Sequence, residues 1–349
     1  MRLSRQALSR QVASVVIAFV ATLSALALPA DAKVGGINGQ IVFARFSPAL
    51  NGTVVYTINP DGSGMERLSP GNFKFGGEEP HWSPDGSKVV FISPAPPDLL
   101  PGLPNVFAVI ANVDTGTFQF LPIQEPATLF TDCHIWSPDA ARLACNGGGQ
   151  TDPSLNGIYT VRSSDGGGLT RLTSDPGGID EACDYSPDGT QLAFSRTNPD
   201  GSTELNTVNV GTGVVQQLAP AGTTLSSFQC GSWSPQGNQI VFAARPDAGH
   251  RRAIYVVNSD GIGLHQISIS PSCGGAASDP TSRGCLDPAW SPDGTKIVFR
   301  IFAPGIKLNN PVYTANADGS GLFQVTHTGA INSGEGDAVP DWGTHAATG

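Results

Sequence analysis

Eight carboxylates stand three to seven residues ahead of a recurring aromatic position. They are Glu78 and Glu79 before Trp82, Asp132 before Trp136, Asp180 and Glu181 before Tyr185, Asp287 before Trp290, and Glu335 and Asp337 before Trp342. Gathered at one mouth, such a set would form a negative funnel for a cation or for a basic segment of a partner. The competing reading leaves them solvated in acidic loops or accepting nearby backbone N–H groups, and Gln229 interrupts the set ahead of Trp233. His81 and His134 precede their aromatic positions by one and two residues, beside Glu79 and Asp132. Histidine with carboxylates can hold a divalent cation, the one cofactor that this sequence suggests. Strand alternation would place the two histidines on opposite faces, which favours packed or hydrogen-bonded rings over a metal pair. No metal ligand or catalytic residue is therefore assigned. The chain also has no G-x-S-x-G elbow, Walker loop or H-E-x-x-H pair, which tilts the reading away from an enzyme.

These residues owe their positions to a repeat. Trp82-Ser83-Pro84-Asp85-Gly86 returns at Trp136-Ser137-Pro138-Asp139-Ala140, Tyr185-Ser186-Pro187-Asp188-Gly189, Trp233-Ser234-Pro235-Gln236-Gly237 and Trp290-Ser291-Pro292-Asp293-Gly294. A truncated copy, Pro340-Asp341-Trp342-Gly343, follows. The aromatic anchors are 54, 49, 48, 57 and 52 residues apart. Ser-Pro-Asp-Gly suits a type I turn, with proline fixing φ and glycine taking a left-handed fourth position. An apolar, β-branched run such as Val89-Val90-Phe91 or Ile297-Val298-Phe299 then reads as the next strand. A second hairpin lies later in each unit, marked by Asp61-Gly62, Asp260-Gly261 and Asp318-Gly319, whose spacing fits turns rather than calcium loops.

Four short strands per unit is the content of one propeller blade, and a blade must stack on neighbours to bury both faces. The expected fold is all-β: a six-bladed β-propeller of four-stranded antiparallel blades. The run Gly39 to Phe46 lacks a strand before it and Pro340-Asp341-Trp342 lacks one after it, so the two ends should complete one blade between them. The Trp-Ser-Pro-Asp-Gly repeat, with Asn-x-Asp-Gly-x-Gly-Leu between copies, resembles the TolB-like six-bladed β-propeller family. That resemblance implies a periplasmic or extracellular propeller that works in protein association. Here the blades begin directly after the N-terminal segment, whereas TolB carries an N-terminal α/β domain.

Composition sets the compartment and the class of partner. Only 19 Lys and Arg oppose 29 Asp and Glu, so no electrostatic footprint for nucleic acid exists. Arg2, Arg5 and Arg10, the uncharged run Val12 to Leu28, and Ala30-Asp31-Ala32 read as a secretory signal over 1–32, cut before Lys33. The rest, 33–349, reads as a single propeller with no further membrane span, exported as a monomer to the periplasm or beyond the cell. Six cysteines in that part suggest disulfides. If the Ser137 turn is a three-residue loop with a bulge, Ser137 pairs with Ala141, and counting outward sets Cys133 opposite Cys145. Cys183 and Cys230 lie on adjacent inner strands and would join across blades, and Cys273 with Cys285 would close the loop ahead of Trp290. The Pro-rich stretch Ser93 to Pro104 reads as a stiff projection. The function expected is a non-catalytic scaffold that holds a protein or cell-envelope glycan at a propeller face and channel mouth. The alternative is a metal-assisted lyase or hydrolase acting on a saccharide or lactone in the channel.

Overall fold

Each repeat turns where its sequence dictates. In the first copy the Gly86 N–H closes on the Ser83 carbonyl at 2.9 Å with Gly86 at φ 70°. The Ser83 hydroxyl donates to Asp85 at 2.6 Å and accepts from the Lys88 N–H at 2.9 Å, while Asp85 also accepts the Ser87 N–H at 3.0 Å. Serine and aspartate are thus chosen because their side chains satisfy turn N–H groups that neither strand can reach. Gly189, Gly237 and Gly294 repeat the left-handed corner, but Ala140 takes it with a Cβ, at φ 55°. We expect Ala140→Gly to stabilise the protein by about 0.5–1 kcal/mol, read as a rise in thermal midpoint. An unchanged or lower midpoint would mean that the Ala140 methyl contributes more by packing than its backbone loses.

The structure, a computed structural model, describes residues 36–69, 77–94, 106–123, 126, 128–149, 151–174, 177–219, 223–269, 273–302, 310–327 and 335–347. The candidate signal 1–32, and the Pro-rich stretch from residue 95 onward, lie outside them. Among the described residues the strands form six sheets, each of four antiparallel strands. The closing blade comprises Gly336–Trp342, Ile41–Ser47, Gly52–Ile58 and Glu66–Arg67 in that order, so strands from both ends of the chain share it. Their register runs from Ile41 opposite Trp342 to Phe46 opposite Gly336, and the Trp342 indole N–H donates to the Gly39 carbonyl at 2.9 Å. The other innermost strands, one per blade from the second to the sixth, are Glu78–Trp82, Leu129–Trp136, Ile179–Tyr185, Ser226–Trp233 and Gly284–Trp290. No helix among the described residues is long and apolar enough to cross a membrane.

The second strand of each blade is covered on both faces, so it reads as a continuous apolar run rather than an alternation. Phe43, Phe91, Phe194, Phe242 and Phe299 are all fully buried there. In the third blade the matching position is Cys145, bonded to Cys133 and directly opposite it. The Ser137 N–H bonds the Arg142 carbonyl at 2.9 Å, so the turn is one residue longer than the expected pairing with Ala141. A bulge at His134, between the pairs Cys133–Cys145 and Ile135–Ala144, takes the residue back. Cys183–Cys230 and Cys273–Cys285 are likewise bonded, as expected.

Candidate functional site

All six innermost strands carry a register shift within their pairing to the second strand. A bulge adds a residue, bends the strand and re-aims the side chains beyond it. Glu79, Asp287 and Val339, each three residues before its anchor, sit in the left-handed region at φ 50°, 51° and 44°. Such conformations cost free energy in residues with a Cβ and persist only where the surroundings hold them. All three border one central cavity of about 260 Å3, to which innermost strands of all six blades contribute.

Four of the eight expected carboxylates meet at this cavity: Glu79, Asp132, Glu181 and Asp287. Asp180 and Asp337 do not line it. Arg196 grips Asp180 with two bonds of 2.7 and 2.8 Å, and the Thr173 hydroxyl, from the preceding blade, donates to it at 2.6 Å. Arg45 grips Asp337 in the same way at 2.6 and 3.0 Å, with Thr326 as the third partner. These two carboxylates are latches between blades. Asp287 is intermediate: it borders the cavity while bonded to Arg300, to the Gln229 amide and to the Val339 N–H. Glu78 and Glu335 lie outside the residues that line the cavity, and the Glu78 side chain is exposed.

The histidines depart from the expectation of opposite faces. Bulges precede His81 and fall on His134, and the two rings stack with centroids 5.5 Å apart and planes 27° apart. His134 is 4% exposed; its Nε2 lies 3.2 Å from Glu79 Oε2 and its Nδ1 lies 3.9 Å from Asp132 Oδ1. His81 Nδ1 lies 3.8 Å from Asp341 Oδ2. Among the described residues no three His, Cys, Asp or Glu side chains converge as ligands of one metal ion.

Burial in the channel wall pushes the Asp132 pKa up to about 6, with Glu79 and Glu181 adding repulsion and His134 and the Asn146 N–H opposing it. The sign follows from linkage. A carboxyl whose folded pKa exceeds its unfolded value binds more protons when folded, so stability falls as pH rises between about 4 and 6. Asp132→Asn should therefore stabilise the protein by up to about 3 kcal/mol at pH 7 and by almost nothing near pH 3.5. Urea unfolding at both pH values tests this, and an equal effect at the two would show that the charge is not responsible.

Asp184, Ser232 and Asp341 were not singled out from the sequence. Each lies one residue before its anchor and accepts the backbone N–H of the next blade's anchor: Trp233 on Asp184 at 2.9 Å, Trp290 on Ser232 at 2.8 Å and Trp82 on Asp341 at 2.9 Å. The same position holds His81, Ile135 and Ala289 in the other repeats, so an alignment on the anchors shows short polar residues in only half of them. Cys183 and Cys230 also border the cavity, so their bond fixes the wall between the fourth and fifth blades.

No known family profile matches the sequence. Among solved structures the chain is similar to TolB from Acinetobacter baumannii, at 19% identity and a TM-score of 0.64, covering 89% of this chain and 67% of that one. A TolB candidate from Agrobacterium tumefaciens matches at 18% identity and a TM-score of 0.60, covering 87% of this chain and 98% of that one. An oligogalacturonate lyase in complex with manganese matches at 14% identity and a TM-score of 0.50, covering 85% and 75%. Likeness at this level concerns backbone architecture, and a propeller hosts many functions. The protein therefore has the TolB-like six-bladed β-propeller fold.

Proposed function

We propose that this propeller is an exported, non-catalytic binding scaffold that takes a basic segment of a protein partner at its acidic channel mouth. The observation that carries the reading is the convergence of Glu79, Asp132 and Glu181 on one cavity, where burial costs Asp132 its ordinary acidity. A charge held at such a cost to stability is a mark of a site rather than of a solvated surface. Three disulfides support export to an oxidising compartment, with the working chain spanning 33–349 after cleavage of 1–32.

The test is capture of partners from envelope extract by the 33–349 chain and by its Glu79→Gln, Asp132→Asn, Glu181→Gln variant, at low and raised salt. The expected result is one stoichiometric protein that is weakened by salt and lost with the variant. Equal recovery by the variant would sink the acidic-mouth reading. Stoichiometric metal in the purified protein, together with turnover of a saccharide or lactone, would replace the scaffold with the lyase or hydrolase alternative. Recovery of a glycan in place of a protein would keep the scaffold and change the partner.

A further inference from the structure

Basic residues are scarce in this chain, yet three arginines and a histidine share one cavity that has no lining residue in common with the channel. Arg245, His250, Arg251 and Arg252 line a cleft of about 260 Å3, with Leu286 and Phe302 supplying apolar surface. Among the described residues no carboxylate lines it. We propose that this cleft, between the fifth and sixth blades, binds a compact organic anion whose carboxylate or phosphate meets the arginines while an attached apolar ring covers Leu286 and Phe302.

The cleft is assembled from segments distant in sequence and is braced. Arg245 ends the strand Gln239–Arg245, Arg251 and Arg252 immediately precede Ala253–Asn258, and Phe302 ends Lys296–Phe302. The neighbouring wall, residues 273–283, is tied down by Cys273–Cys285 and by bridges joining His250 to Ala276 and Cys273 to Arg283. Arg251 donates to the Ser282 hydroxyl at 2.8 Å and to the Ala277 carbonyl at 3.1 Å. Arg252 donates through Nε to the Ser227 carbonyl at 2.9 Å. Both guanidiniums are thus oriented before any ligand arrives, which reduces the ordering that binding would cost.

Three nearby carboxylates are already committed. Asp247 accepts from the Gly249 N–H and contacts His250, each at 2.7 Å, Asp279 accepts from Thr281, and Asp287 is bonded to Arg300. Glu181, on the channel wall, accepts from the Ser195 hydroxyl at 3.3 Å. Among the described residues the Arg245 side chain, which is exposed, makes no ion pair or hydrogen bond. Burial, with crowding by Arg245 and Arg300, lowers the Arg252 pKa against the pull of Asp287 and Glu181. An anion between the guanidiniums would relieve that crowding. A net charge of −10 on the whole chain disfavours an extended polyanion, whereas a small one feels chiefly the local arginines.

Calorimetric titration of the oxidised protein with phenyl phosphate, phenylacetate, inorganic phosphate and benzyl alcohol tests the proposal. At least one aromatic anion should bind saturably at one site, and which of the two does so separates a phosphate ligand from a carboxylate one. Inorganic phosphate should bind at least about tenfold more weakly, benzyl alcohol should not saturate, and Arg245→Gln should weaken the anion at least about tenfold without moving the thermal midpoint. The control Arg162→Gln, in an exposed ion pair with Asp165, should change nothing. No saturation by either aromatic anion up to about 10 mM, or affinity unaltered by Arg245→Gln, overturns the proposal. Equal binding of inorganic phosphate overturns its apolar half.

Discussion

Replacing Arg45 by methionine should lower stability by about 3–5 kcal/mol, because it leaves the Asp337 carboxylate buried without its cation. Arg45 is 6% exposed and Asp337 1%, and the pair joins the strand Ile41–Ser47 to Gly336–Trp342, the seam that closes the ring. Thr326 remains as a hydroxyl donor to the carboxylate, but a hydroxyl does not neutralise it. The loss should shrink at acid pH, where an orphaned carboxyl can take up a proton. Adding Asp337→Asn should recover most of it, since a neutral amide still accepts from Thr326. Should the double variant prove as unstable as the single one, the cost lies in packing instead. Arg45 also covers the Phe43 and Tyr56 rings, at 5.3 and 5.8 Å from their centroids.

Removing the Cys183–Cys230 bond with serine at both positions should cost about 4 kcal/mol, the chain-entropy value for a loop of that size. The two cysteines are 47 residues apart and join the innermost strands of neighbouring blades. Cys273–Cys285, with a separation of 12, should cost about 3 kcal/mol when removed in the same way. Urea unfolding of both variants checks the order as well as the size. A larger loss from the shorter loop would show that these bonds act on the folded walls rather than on the unfolded chain. For Cys273–Cys285 that outcome would agree with its place beside the arginine cleft.

Much of the molecule was legible because repeats are local. The spacing of Trp82, Trp136, Tyr185, Trp233, Trp290 and Trp342 gave the blade count, and the Ser-Pro-Asp-Gly turn follows from hydrogen bonds spanning at most five residues. The shared closing blade could be read from a strand lacking a predecessor and another lacking a successor. All three cysteine pairs were also legible, although Cys133 faces Cys145 only after a longer turn and a bulge cancel.

The carboxylates show where that reading stops. Asp180 and Glu181 are neighbours in sequence, yet one closes on Arg196 and Thr173 while the other reaches the cavity. Their fates depend on partners in a neighbouring strand and a neighbouring blade, which a count along one strand cannot supply. His81 and His134 stack because bulges break the two-residue alternation on which the contrary expectation rested. The basic residues of the cleft are close in sequence, three arginines and a histidine within 245–252, but the apolar surface opposite them comes from Leu286 and Phe302 in the next blade, which no local pattern links to that run. The sequence by itself determined the six-bladed ring and its turns, set by local hydrogen bonding and a fixed period. The tertiary structure alone decided which charges face the channel, which are spent as latches, and which apolar surface the basic run at 245–252 meets. Burial and ion pairing depend on what the fold brings within a few ångströms, whatever the distance along the chain.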